Sequence, residues 1–255
     1  MPERSSQQFG HEKLSVYQKA LVTFERIHGA MSPWSKHHAF IDHLSRAAES
    51  ILFNLAEGVR LSSDNKKALS VDYSIGSTFE CAACLDIAAL KELLKNTEAT
   101  ELKQALLEVS KMLVGLRDSW TSGRVAEGSE EYSTSNQPES GTVFYHETLD
   151  RYRVALDFYR WLVSTVLSRT PGGKCERSVD TLATRMVLNI AESSGRYAEL
   201  SRQDFLDTAN SAASTLAVSV DMGVRRGIWT ASEAETGKTL LVRVGQMTAR
   251  KGYSH

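Results

Sequence analysis

The sequence predicts an all-α protein made of two tandem antiparallel four-helix bundles related by an internal repeat. Two observations carry that prediction. Apolar residues recur at steps of three and four through each long segment, and the chain matches itself without gaps at an offset of 135 residues. No segment offers the alternating pattern of a strand partner.

The self-match fixes the domain plan. "FGHEKLSVYQKAL" lies on "FYHETLDRYRVAL", pairing Phe9 with Phe144, His11 with His146, Glu12 with Glu147, Leu14 with Leu149 and Tyr17 with Tyr152. The same offset superposes Asn54, Ala56 and Glu57 on Asn189, Ala191 and Glu192, and Asp72, Asp86, Leu106, Val109 and Met112 on their later equivalents. One module over 9–119 and a second over 143–252 follow. Between them the Ser-, Gly- and Glu-rich stretch 120–142, with Pro138 and no apolar period, reads as a flexible linker.

Within the first module, Leu14, Tyr17, Leu21, Phe24 and Ile27 form one helix face, which "MSPWSK" ends because Pro33 cannot continue the hydrogen-bond ladder. "RTPGGK" is the matching stop in the second module. A second helix carries Ile41, Leu44, Ala48, Ile51 and Leu55 and stops near Gly58. The third is expected from Asp64 to Leu94 on the stripe Gly76, Phe79, Ala83, Ile87, Leu90 and Leu94. Its small residues would let a neighbouring helix, of this module or another, approach closely. The fourth is expected to start at an N-cap on Thr97, and its counterpart at a Thr230/Glu233 capping box.

Composition narrows the function classes. With 255 residues and 42% apolar content the chain can build a real core, and a formal net charge of -1 supplies no global positive field toward nucleic acid or an anionic membrane. Three cysteines, Cys81, Cys84 and Cys175, suit a reducing compartment, and no run resembles an export signal or a membrane span, so a cytoplasmic protein is expected.

The repeated Asn54/Glu57 and Asn189/Glu192 edge is the least expected feature. An amide bordering an apolar stripe suits a hydrogen bond across a helix seam that fixes register; a recognition site is the alternative.

Those residues also carry a family likeness. "RAAESILFNLAEG", "SIGSTFE" and the leading "YQKAL" resemble the four-helix-bundle family of 23S rRNA-intervening-sequence proteins, which includes the accessory variability determinant of diversity-generating retroelements. The first module keeps Arg46, Ala47, Ser50, Ile51, Asn54, Ala56, Glu57, Gly58, Gly76, Ser77 and Glu80 of the pattern. The second keeps Asn189, Ile190, Ala191 and Glu192 but has Ser193, Ser211, Ala212 and Thr215 where the pattern has Gly, Gly, Ser and Glu. The resemblance implies a non-enzymatic accessory protein that binds nucleic acid and a reverse transcriptase. Family members are typically single modules, and the accessory determinant is a basic pentamer. This chain is nearly neutral, which argues against strong nonspecific nucleic-acid binding, and it is a fused pair, which points instead to an intramolecular pseudo-dimer or an even-numbered homo-oligomer.

Cys81 and Cys84 have CxxC spacing but lie inside a helix without a second pair, and are expected to pack rather than bind metal. Glu25 and His28 mimic a di-iron ExxH motif, yet Arg160 and Val163 replace them in the second module. The cluster His37, His38 and His43 is expected to be solvated. No enzyme site, cofactor or metal is therefore expected. Arg46, Arg60, Lys66 and Lys67 around one turn, with Arg185, Arg196 and Arg202 in the second module, form the candidate local patch for RNA or DNA. The expected function is a scaffold that docks a partner protein and, through that patch, its nucleic acid; the rival is a pure protein-protein adaptor.

Overall fold

In the computed structural model, residues 9–35, 38–121, 143–167 and 174–249 are described. All regular structure among them is helical. A 3-10 turn at Gly10–Lys13 leads into α1 (Ser15–Met31), α2 (Ala39–Arg60), α3 (Asp64–Leu90) and α4 (Asn96–Thr121). The second half repeats the order with a one-turn helix α5 (Tyr145–Thr148), α6 (Asp150–Leu162), α7 (Lys174–Ser194), α8 (Glu199–Arg225) and α9 (Ala231–Thr248). Element starts recur 135 residues apart, Asp64 with Glu199 and Asn96 with Ala231 among them. In each half the long helices pack as a ring of four, α1 to α4 and α6 to α9.

Local chemistry sets most boundaries. Pro33 stands just past Ser32, the C-cap of α1, and the Thr230 hydroxyl accepts from the Glu233 N–H while Glu233 reaches back to the Thr230 N–H, closing the expected capping box. Two boundaries differ from the sequence expectation. The helix α3 stops at Leu90 rather than Leu94, because Glu92 turns left-handed at φ 58 and the Leu93 N–H closes back on the Ala88 carbonyl at 3.0 Å. Thr97 lies inside α4, and the Lys95 N–H before the helix is satisfied by Glu98 at 3.3 Å. The helix α4 also runs through Thr121, two residues past the expected module edge at 119; the rest of the expected linker, 122–142, lies outside the described residues. In the second half α6 loosens into a π turn over Val163–Leu167, where the Thr165 hydroxyl donates to the Trp161 carbonyl and accepts from the Trp229 indole.

The halves do not sit apart. The helix α3 packs against α7, and α2 also touches α7. The small residues of α3 are what permits this. A Cβ on Gly76 would come within 2.8 Å of the Arg196 guanidinium, and one on Gly195 within 2.8 Å of the Phe79 ring. Gly76 and Phe79 of the expected stripe thus face the second bundle, the neighbour that packs on the small residues of α3, and α3 is buried on almost every side. Among the described residues no helix is long and apolar enough to cross a membrane.

Candidate functional site

A cleft of about 420 Å³ opens where the two bundles meet. Helical spacing assembles it. Arg46, Ser50 and Asn54 line one edge of α2 at steps of four, Tyr73, Ser77 and Glu80 line α3, and Glu192 and Arg196 arrive from the end of α7. The two family-motif edges and two of the candidate cations are thereby brought together.

Asn54 corrects one expectation. Its Nδ2 donates within its own helix, to the Ser50 carbonyl and hydroxyl, both at 2.9 Å, and Asn189 likewise donates to the Arg185 carbonyl at 2.7 Å. The seam between α2 and α3 is bridged by serines instead. Ser70 donates to the Asn54 carbonyl at 2.8 Å and Ser74 to the Ile51 carbonyl at 3.0 Å, while the Ser77 and Ser50 hydroxyls meet at 2.8 Å. An asparagine on a helix edge reaches its own i−4 carbonyl more easily than a neighbour's, whereas short serines facing the next helix can bridge.

Arg196 is the central side chain. Its guanidinium pairs with Glu192, lies 4.9 Å over the rings of Tyr73 and Phe205, and reaches the Asp72 carbonyl at 3.5 Å. Burial raises the Glu192 carboxyl above its ordinary range against the pull of Arg196. Beside it, Arg117 binds Asp72 at 2.7 Å and stacks 3.7 Å over Tyr197. Burial pushes Asp72 up to about 6 although Arg117 lowers it, and pushes Tyr197 up to about 12. Two further polar knots cross the junction. Lys91 meets Asp180 at 2.9 Å, with Tyr159 donating to the same carboxylate. Lys103 binds Asp86 at 2.8 Å and Glu147 at 2.6 Å, and the Tyr152 hydroxyl donates to Asp86 at 2.8 Å. His146 stands fully buried among Phe79, Phe144 and Tyr152. Sequence reasoning registered the repeat identities of Phe144, His146, Glu147 and Tyr152, but nothing local to them names Phe79 or Asp86 as partners.

The candidate nucleic-acid residues separate. Arg196 is buried and neutralised, so it cannot reach a phosphate. Arg46 pairs with Asp42 at 2.8 Å, Lys67 with Asp64 at 3.0 Å under Trp120, and Arg202 with Glu199 at 2.9 Å. Arg60, Lys66 and Arg185 are exposed, without an ion-pair partner among the described residues. Of the histidines, His43 contacts Glu80 at 3.1 Å, His38 precedes α2, and His37 lies outside the described residues. Cys81 and Cys84 are fully buried in α3, where burial drives their thiols well above the ordinary range; Cys84 donates to the Phe40 carbonyl at 3.7 Å. Glu25 and His28 are exposed, and His28 stacks beside Phe24.

The cleft therefore offers mixed donors and acceptors around a guanidinium already paired with a carboxylate. Such a lining suits a polar polypeptide surface better than a polyanion, since its cations are largely spent on internal pairs. Residues 12–115 match the family model described as 23S rRNA-intervening sequence protein, in agreement with the resemblance read from the motifs. No curated protein and no solved structure matches the chain.

Proposed function

We propose that this chain, whose first bundle matches the 23S rRNA-intervening sequence protein family, is a non-enzymatic scaffold that presents a fixed two-bundle surface to a partner protein. The internal match at 135 residues, with element starts in the same register, supports descent from one duplicated module. The observation that carries the scaffold reading is the use made of buried charge. Arg196, Lys91 and Lys103 each bind a carboxylate at the junction, Arg196 and Lys91 lie over aromatic rings, and the Tyr152 hydroxyl donates to the Asp86 carboxylate that Lys103 binds, so these paired charges hold two bundles in one orientation. A reverse transcriptase is the partner class the family likeness implies, and the exposed Arg60, Lys66 and Arg185 are the remaining contacts for its nucleic acid.

The near-zero net charge and the burial of Arg196 favour a second reading, a pure protein-protein adaptor. Fluorescence anisotropy with a short labelled RNA and a DNA duplex separates the two. If nucleic acid is bound, affinity falls steeply above about 50 mM salt, and the triple variant Arg60→Gln, Lys66→Gln, Arg185→Gln loses roughly one unit of salt slope per phosphate contact removed. Absence of binding at that low salt leaves the adaptor reading.

A further inference from the structure

The contact between the halves is head-to-tail. The face formed by Asp180, Thr184, Val187, Leu188 and Ala191 of α7 and by Gly195 just after it is buried throughout, and with Phe144 it acts as a plug. It enters a socket on α3 whose Gly76, Phe79, Ala83 and Ile87 are all buried. A head-to-tail contact always leaves one plug and one socket unused. Here the unused plug is the matching face of α2, where Ser45, Glu49, Leu52, Phe53, Ala56 and Arg60 are not buried. Phe53 is 68% exposed against 2% for its counterpart Leu188, and Phe9 58% against 0% for Phe144. The unused socket is α8, where Ser211, Ser214, Val218 and Met222 are exposed.

The unused faces keep one of the occupied contact's polar knots and its aromatic turn, while Ser45 and Leu61 stand where Asp180 and Arg196 make the others. The turn bearing Phe9 is held in the same shape as that bearing Phe144, since Glu12 accepts from the Phe9 N–H at 2.7 Å as Glu147 does from the Phe144 N–H at 3.0 Å. Tyr17 and Glu12 stand where Tyr152 and Glu147 reach the Asp86–Lys103 pair. That pair persists in the empty socket as Asp221–Lys238 at 2.7 Å, open to solvent. The sizes remain matched after exchange. Phe79 over Gly195 becomes Ser214 facing Arg60, a large-small pair reversed. Exposed apolar side chains occupy both faces, Phe9 and Phe53 on one and Val218 and Met222 on the other.

We propose that a second copy of this chain docks its Phe9/Phe53 plug into the α8 socket of its neighbour, reproducing between chains the contact that joins the halves within one. Tyr17 and Glu12 of the incoming copy then engage Asp221 and Lys238. Assembly ends as a ring if the rotation closes and as a filament if it does not.

Light scattering coupled to gel filtration on the full chain is the test. The expected mass is at least twice 28.2 kDa. Phe53→Asp and Met222→Asp lie on exposed positions, so both variants keep the helical circular dichroism of the parent, and each alone runs as a monomer. Mixing the two restores a one-to-one dimer that grows no further, because one intact plug then meets one intact socket. A wild-type chain that stays at 28.2 kDa at its highest soluble concentration overturns the proposal. So does a Met222→Asp chain that still assembles, which would indicate plug-to-plug pairing, or a mixture that remains monomeric.

Discussion

At the scale of single residues, burial at the junction shifts the protonation of His146 and Asp72. His146 has no hydrogen-bond partner on either ring nitrogen, and burial, with a smaller contribution from the Lys103 charge, holds its imidazole well below the ordinary value of 6.5. The folded chain keeps it neutral while the unfolded chain binds a proton below 6.5, so this residue makes stability fall as pH drops through that value. Asp72 acts in the opposite sense. Its carboxyl titrates at about 6 in the fold against 3.8 when free, so between those values the folded state holds the extra proton and its contribution to stability rises on acidification. His146→Leu should remove the first effect and leave the second. In urea titrations at about pH 7.5 and about pH 5.5, the variant's loss of stability on acidification should be smaller than the parent's by up to roughly 1.4 kcal/mol per pH unit below the free imidazole value. Parallel losses in the two proteins would show that His146 is protonated in the fold. None of this was legible locally, because a histidine reports its environment only once Phe79 and Tyr152 have closed around it.

At the scale of elements, the seam between α2 and α3 separates a motif from its apparent role. Asn54 belongs to the repeated signature, yet its amide stays within its own helix, and the serines Ser70, Ser74 and Ser77 make the cross-helix bonds. Ser74→Ala should cost about 1 kcal/mol, because the buried Ile51 carbonyl loses the hydroxyl that donates to it across the seam. Asn54→Ala should be close to neutral, since the higher helix propensity of alanine offsets the lost side-chain bond by roughly 0.5 kcal/mol. Urea midpoints rank the pair, and the reverse order would restore the asparagine as the register peg. Helix positions themselves were readable: Pro33 and the Thr230/Glu233 box act within a few residues, so sequence suffices to place those ends. The end of α3 was not, because Leu93 and Leu94 continue the apolar period after Glu92 has already reversed the chain.

At the scale of the whole molecule, the fit of α7 on α3 depends on the absence of two side chains. Gly195→Ala would place a Cβ 2.8 Å from the Phe79 ring and 3.2 Å from the Gly76 Cα, so the bundles must part or the ring must leave its place. A loss of about 1 to 3 kcal/mol in urea denaturation is expected, the usual cost of overpacking. An unchanged midpoint would mean that the contact between the halves contributes nothing to stability. The sequence by itself determined the all-α class and most of the helix starts, because helical period, capping and proline stops act within one or two turns of chain. It also held the match between the halves, since identities at a fixed offset need no coordinates to be seen. Only the tertiary structure decided which faces meet. Gly76 and Phe79 read as part of one apolar stripe and Arg196 as a surface cation open to phosphate, and their burial follows from packing across 120 residues of chain, where cost and gain depend on shape and desolvation at the contact rather than on neighbours in sequence.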